Sequence, residues 1–306
     1  NDPLCNFEQL PYKDFRSKFQ NDLSSSPDSS FVREALGKGL LSQDRQSINP
    51  LKFGVIASTD THLGTPGAVD ESSFQGHGGA GKSFRSSIPE GLPDDIEFNP
   101  GGLAVAWAEE NSRSAIFDAF QRKEVYGTSG PRFIVRFFVG DNLDKNLCKN
   151  PDNISYAYAN ATPMGGTIAS DSLSQPSIFI SASADSSIKD QFIEKLQVVK
   201  GVVRNGELLT TVHDVGVTNA QSKLDIANCE VTGSGEKAMC SVWNDPNFNS
   251  SENAYYYVRV VANKSCRWSH NLCLQNPEYC EADSDASIPK VIQERAWTSP
   301  IWLETT

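Results

Sequence analysis

Histidine is scarce in this chain of 306 residues: His62, His77, His213 and His270 are all there is, so any imidazole chemistry must draw on these four positions. Positive charge is also short, with 27 Lys+Arg against 38 Asp+Glu and no basic cluster, which excludes nucleic acid as a partner. Long apolar runs are missing: residues 133–139 and 255–261 are each interrupted by an arginine and fall far below the ~20 residues of a membrane helix. No Gly-x-Ser-x-Gly elbow occurs, which excludes the common serine-nucleophile motif, and Gly78-Gly79-Ala80-Gly81-Lys82-Ser83 has no strand-like run directly before it, which argues against a phosphate loop. No Cys-x-x-Cys pair is present either, which argues against a zinc knuckle.

What the chain does have is seven cysteines, five of them after residue 228, and four glycosylation sequons at Asn153, Asn160, Asn249 and Asn263. Together these predict a secreted protein, extracellular or periplasmic, with most cysteines paired and at least one thiol left over. Spacing suggests Cys229 with Cys240, and Cys266 with either Cys273 or Cys280, leaving Cys5 or Cys148 unpaired. The first residue is Asn1, so the expectation is a removed leader or a start inside a longer chain.

The composition changes near residue 131. Residues 1–131 read as α/β. An amphipathic helix begins near Phe31, a short buried strand covers 53–58, a Gly- and Pro-rich loop covers 61–100, and helices cover 102–110 and 112–124, with Ser112 as N-cap. Residues 132–306 read as an all-β, sandwich-like domain with disulfide-rich loops, its strands at 133–139, 177–183, 196–203, 208–215, 255–261 and 291–297. Asn205-Gly206 is a hairpin turn, because both residues accept positive φ.

Asp60-Thr61-His62 follows the 53–58 strand directly. In extended backbone, residues two apart share a side, so a carboxylate and an imidazole there can converge on one ion. His77 sits among glycines that let a backbone approach a ligand closely. Arg113 and Arg132 match the geometry of a phosphate or sulfate clamp, or alternatively form ion pairs with Glu109, Glu110 or Asp118.

Longer motifs surround these residues: Ser58-Thr59-Asp60-Thr61-His62-Leu63-Gly64-Thr65-Pro66-Gly67, Gly76-His77-Gly78-Gly79, Asn99-Pro100-Gly101-Gly102-Leu103, Trp107-Ala108-Glu109-Glu110-Asn111, Pro163-Met164-Gly165-Gly166, Cys266-Arg267-Trp268-Ser269, and the stretch opening Glu294-Arg295-Ala296-Trp297. Through them the chain resembles the C-terminal part of a domain-of-unknown-function family related to the PHP (polymerase and histidinol phosphatase) metal-dependent hydrolases.

That resemblance implies a distorted β/α barrel whose last portion is residues 1–131. It also implies two or three divalent ions (zinc, manganese or iron) and a metal-activated water attacking a small anionic ester in a phosphoesterase-like reaction. Asp60 and His62 correspond to the superfamily's final Asp-x-His, with His77 in the same pocket; Arg113 and Arg132 remain candidates on the chemistry of their guanidinium groups alone. The remaining ligands are expected outside this segment, in a missing N-terminal half or another chain, since no histidine precedes His62. The competing expectation is a non-catalytic extracellular glycoprotein that uses the same scaffold for assembly or binding.

Overall fold

The computed structural model describes residues 2–5, 7–8, 31–74, 76, 99–275, 277 and 289–305. Among them run α1 (Val32–Gln46), β1 (Leu103–Ala106), α2 (Arg113–Gln121), β2 (Val125–Thr128), β3 (Ile134–Asp141), α3 (Asn153–Asn160), β4 (Ala161–Pro163) and β5 (Thr167–Ala169). There follow β6 (Pro176–Ser183), β7 (Ile193–Arg204), β8 (Glu207–Val217), β9 (Ser222–Asp225), β10 (Glu230–Gly233), β11 (Ala238–Asn244), β12 (Ala254–Cys266), α4 (Trp268–Gln275), β13 (Val291–Thr298) and β14 (Ile301–Glu304). The protein is β-rich, with an eight-stranded sheet, a four-stranded sheet and a β9–β10 hairpin.

Alternation of side chains explains the stacking. In β3, Val135, Phe137 and Val139 face one way, and in β6 Ile178, Ile180 and Ala182 do the same. They meet Tyr256, Val258 and Val260 of β12 and Leu196 and Val198 of β7 in one core between the two larger sheets. The opposite faces are covered by helices. Leu36 and Leu40 of α1 pack on Val203, Tyr255 and Trp302, while Ala157 of α3 lies with Phe138 and Phe179. The glycines that blur the end of α1 in the sequence are there for contact: a Cβ on Gly37 would lie 2.0 Å from Leu208 Cδ2.

β12 is the spine of the large sheet. β7 pairs along one edge; β13 and then β14 pair with successive stretches of the strand, interrupted between them by Ser299-Pro300, where proline offers no N–H. Asn205 and Gly206 turn β7 into β8 with φ of 53° and 76°, as the hairpin signal predicts.

Three expectations change. First, 53–58 belongs to no strand, and residues 102–110 hold the strand β1 rather than a helix. Ala-rich Leu103–Ala106 pairs antiparallel with β2, so tertiary pairing overrides its helix propensity. Second, the only parallel pair among the described strands is β5 with β14, so the parallel strands of a barrel are not seen among the described residues of 1–131; β1 and β2 belong to the same sheet as β12 and β13. Third, the disulfides are Cys148–Cys240 and Cys229–Cys266, and Cys273 is also disulfide-bonded. Spacing misled because β11 carries Cys240 beside the turn after β3, and β12 carries Cys266 beside the β9–β10 turn, so the partners are distant in sequence.

Replacing Cys148 and Cys240 together with serine is expected to cost about 3 kcal/mol of stability, read as a lower urea midpoint; an unchanged midpoint would mean that the closed loop adds nothing. Asn263 departs from its sequon: it is buried, accepts from the Phe192 N–H (2.7 Å) and donates to the Asp190 carbonyl (3.1 Å), so the folded chain offers no room for a glycan there.

Candidate functional site

The segment after α1 passes beside β2: a Cβ on Gly54 would lie 3.1 Å from Val125 Cγ2, and one on Gly127 would lie 2.9 Å from the Ala57 nitrogen. The Val55 N–H donates to Ser299 Oγ (2.9 Å), and the Gly102 N–H donates to the Ser58 carbonyl (2.9 Å). Only glycine fits at 102, where a Cβ would stand 2.8 Å from Ala57 Cβ and 1.9 Å from the Thr128 carbonyl oxygen.

At the end of this segment Asp60 takes φ of 54°, and Thr59 and Thr61 each cap the N–H two residues on. The turn brings His62 Nε2 to 3.9 Å from Asp60 Oδ1, with side-chain exposures of 54% and 83%. Two donors each about 2.1 Å from one ion can stand up to about 4.2 Å apart, so the pair fits a single metal ion, and carboxylate with imidazole suits zinc, manganese or iron. Two ligands are fewer than a catalytic ion needs. The one close group of three ligand types among the described residues is Cys229, Cys266 and His270, but its sulfurs are bonded to each other and His270 Nε2 contacts the Ile226 carbonyl at 2.7 Å.

The other sequence candidates separate. His77 lies outside the described residues. Arg113 opens α2, exposed, and does not line the cleft described next. Arg132 does line that cleft, while its backbone N–H donates to Asp185 Oδ2 (2.7 Å). The cleft, about 1170 Å³, takes Thr61, Leu63 and Thr65 from the same segment, but neither Asp60 nor His62 is in its wall.

Sequence reasoning missed the carboxyl groups in that wall. Glu71 comes from the loop after His62 and is fixed to α4: its Oε2 accepts from the Trp268 N–H (2.5 Å), its carbonyl accepts from Asn271 Nδ2 (3.0 Å), and Phe74 packs edge-on against Trp268. Glu294 projects from β13, and Ser129 Oγ donates to its Oε2. Burial pushes the Glu71 carboxyl up to about 8; Arg267 opposes the rise and Glu8 and Asp70 add to it. Burial, followed by the charge of Glu71, pushes Glu294 well above the usual carboxylate range. Arg267 does not neutralise the pair, because its guanidinium forms a two-pronged ion pair with Glu8 (2.9–3.1 Å) and bonds Ser269. One signal was available in the sequence: Glu294-Arg295 interrupts an otherwise apolar strand, and charge inside a buried strand must have a partner.

No curated protein and no solved structure matches this chain. A family model described as a protein of unknown function (DUF3604) matches residues 1–305. The exposed Asp-x-His turn and the carboxyl-lined cleft therefore belong to a member of that family.

Proposed function

We propose that this chain supplies part of a metal-dependent hydrolase of PHP type, acting on a small anionic ester. The observation that carries the reading is the Asp60–His62 pair: two donors of suitable chemistry, turned to one side, 3.9 Å apart and open to solvent. Asp60 and His62 would hold one of two or three zinc, manganese or iron ions, the other ligands and the rest of the barrel coming from outside this segment. When bound, the ions supply an activated water and neutralise charge on the leaving oxygen. The chain's own contribution is positional: the φ of Asp60 and the caps from Thr59 and Thr61 hold both donors in place. Arg132 is not used as an anion clamp in this reading, because the charged residues described in the same cleft wall are mainly acidic.

A second reading, a non-catalytic extracellular role in assembly, is favoured by one feature. α2 exposes Ile116, Phe117 and Phe120, an apolar face that another chain or a further part of a barrel would cover.

The test is elemental analysis of the full-length protein purified without chelator or metal-affinity resin. Two or more equivalents of zinc, manganese or iron are expected, with a loss of at least one equivalent and of phosphate- or sulfate-ester hydrolysis in Asp60→Ala/His62→Ala. A folded protein without bound metal would sink the hydrolase reading and leave assembly.

A further inference from the structure

The cleft is acidic beyond what its own contacts satisfy. Among the described residues, six carboxyl-bearing ones line it (Asp70, Glu71, Asp185, Asp190, Glu230 and Glu294) against two cations, Arg132 and Lys189. Asp185 is committed, since its oxygens accept from the Arg132 N–H and from the Ser187 N–H and hydroxyl. Glu71 and Glu294 are not: among the described residues each takes one hydrogen bond, on Oε2, and Glu71 Oε1 is buried with no partner among them. The cations beside them also hold other groups. Arg267 is held by Glu8, and Arg295 points to the Leu4 carbonyl and lies over the Phe7 ring. A buried carboxyl oxygen with no donor costs free energy that a ligand donor would recover.

We propose that this cleft is a binding site for a ligand carrying a primary ammonium or guanidinium group, received by Glu294 and Glu71 together.

An anionic ligand would meet a wall in which, among the described residues, acidic side chains outnumber Arg132 and Lys189. A bare metal ion fits poorly too, because among the described residues Glu71 and Glu294 belong to no group of three ligand atoms close enough to share an ion. An organic cation needs only acceptors at ordinary hydrogen-bond distance, and the volume, at the upper end for a small-molecule site, leaves room for the rest of such a ligand. In the empty cleft, protons take the place of the cation. The groups facing the pair are Asp70 on the same loop, Glu8, Arg267 before α4, and Arg295 on β13. With the Glu71 carboxyl pushed up to about 8 by burial, binding of a cation near neutral pH displaces a proton and tightens as pH rises. The proposal does not depend on the metal-site reading.

The experiment is calorimetric titration of the full-length protein with N-acetyl-lysine methylamide and with its uncharged counterpart N-acetyl-norleucine methylamide. Titrations run at pH 7, 8 and 9, in buffers of different ionisation enthalpy. The lysine probe is expected to bind roughly tenfold tighter at pH 9 than at pH 7, releasing a proton at pH 7, while the norleucine probe and inorganic phosphate do not bind. Glu294→Gln and Glu71→Gln, which keep the side-chain shape, are expected to weaken the lysine probe at least tenfold. Equal binding of both probes, no binding of the lysine probe at pH 9, or unchanged affinity in both folded variants would overturn the proposal. The pH dependence of the unaltered protein decides the matter even if a variant fails to fold.

Discussion

Replacing Asp245 with alanine is expected to cost the fold about 3–5 kcal/mol, because the change strands a buried charge instead of merely removing a contact. Lys200 Nζ lies 2.5 Å from Asp245 Oδ2, with side-chain exposures of 5% and 0%. The same oxygen accepts from the Tyr256 hydroxyl at 2.6 Å, and Oδ1 accepts from the Asn247 N–H at 2.9 Å. Burial opposes ionisation of Asp245, but the hydrogen bonds from Lys200 and Tyr256 outweigh it and hold the carboxyl below its ordinary range. Without that carboxylate, the Lys200 ammonium keeps only the Asn247 carbonyl (3.0 Å) and the Tyr256 hydroxyl loses its acceptor. Lys200→Met combined with Asp245→Leu is expected to recover most of the loss, since an apolar pair of similar volume leaves no charge behind. The exposed pair Arg204–Glu252 provides the contrast: Glu252→Ala should stay within about 1 kcal/mol. Urea midpoints measure all three variants, and a loss below about 1 kcal/mol for Asp245→Ala would show that water reaches Lys200.

Stability is expected to fall as pH rises from about 4.3 to about 8, and Glu71→Gln should remove much of that fall. A carboxyl raised in the folded state binds its proton more tightly there than in the unfolded chain. Its contribution is whole below the unfolded pKa of about 4.3 and is lost as pH climbs to the folded value, which for Glu71 is about 8. Glu294, raised by burial and by the charge of Glu71, adds to the loss. The slope is of the order of 1.4 kcal/mol per pH unit for each group across that window. Asp2 works in the opposite sense: burial opposes its ionisation, but Arg259 and Arg33 hold its pKa at about 2. The stability it adds is present above the unfolded value near 3.9 and lost as pH falls toward 2. Melting temperatures at pH 5, 7 and 9 should therefore fall less steeply for Glu71→Gln than for the unaltered protein, and parallel curves would contradict the assignment.

Much of the fold was legible because period-two patterns face real layers. The strand expected at 177–183 is β6, whose Ile178 and Ile180 face one sheet while Phe179 faces α3. Ser112 caps α2 as its position predicts, accepting from the Ala115 N–H at 3.3 Å. β1 was not legible, because its alanines favour a helix and only β2 makes them a strand. That Asp60 and His62 lie near each other could be read from two-residue spacing, but the expected route was extended backbone, whereas Asp60 takes φ of 54°. The Glu71–Glu294 pair could not: its members come from a loop and a strand more than 200 residues apart in the chain, and nothing local marks a carboxyl whose partner arrives through tertiary packing. For the same reason the disulfides escaped, each being set by which strand lies beside which turn.

The order of pairing along β12 also bears on how fast the chain can fold. The Ser299 hydroxyl donates to the Val125 carbonyl across 174 residues, and β2 has no partner on its β13 side until Val291–Thr298 is in place. Each such closure sacrifices chain entropy before any contact repays it. Refolding is accordingly expected on the slow side, with β2 left holding an unpaired edge until β13 arrives. During synthesis that interval covers everything made between the two strands, and it is then, more than in the finished molecule, that this protein is exposed to misassembly.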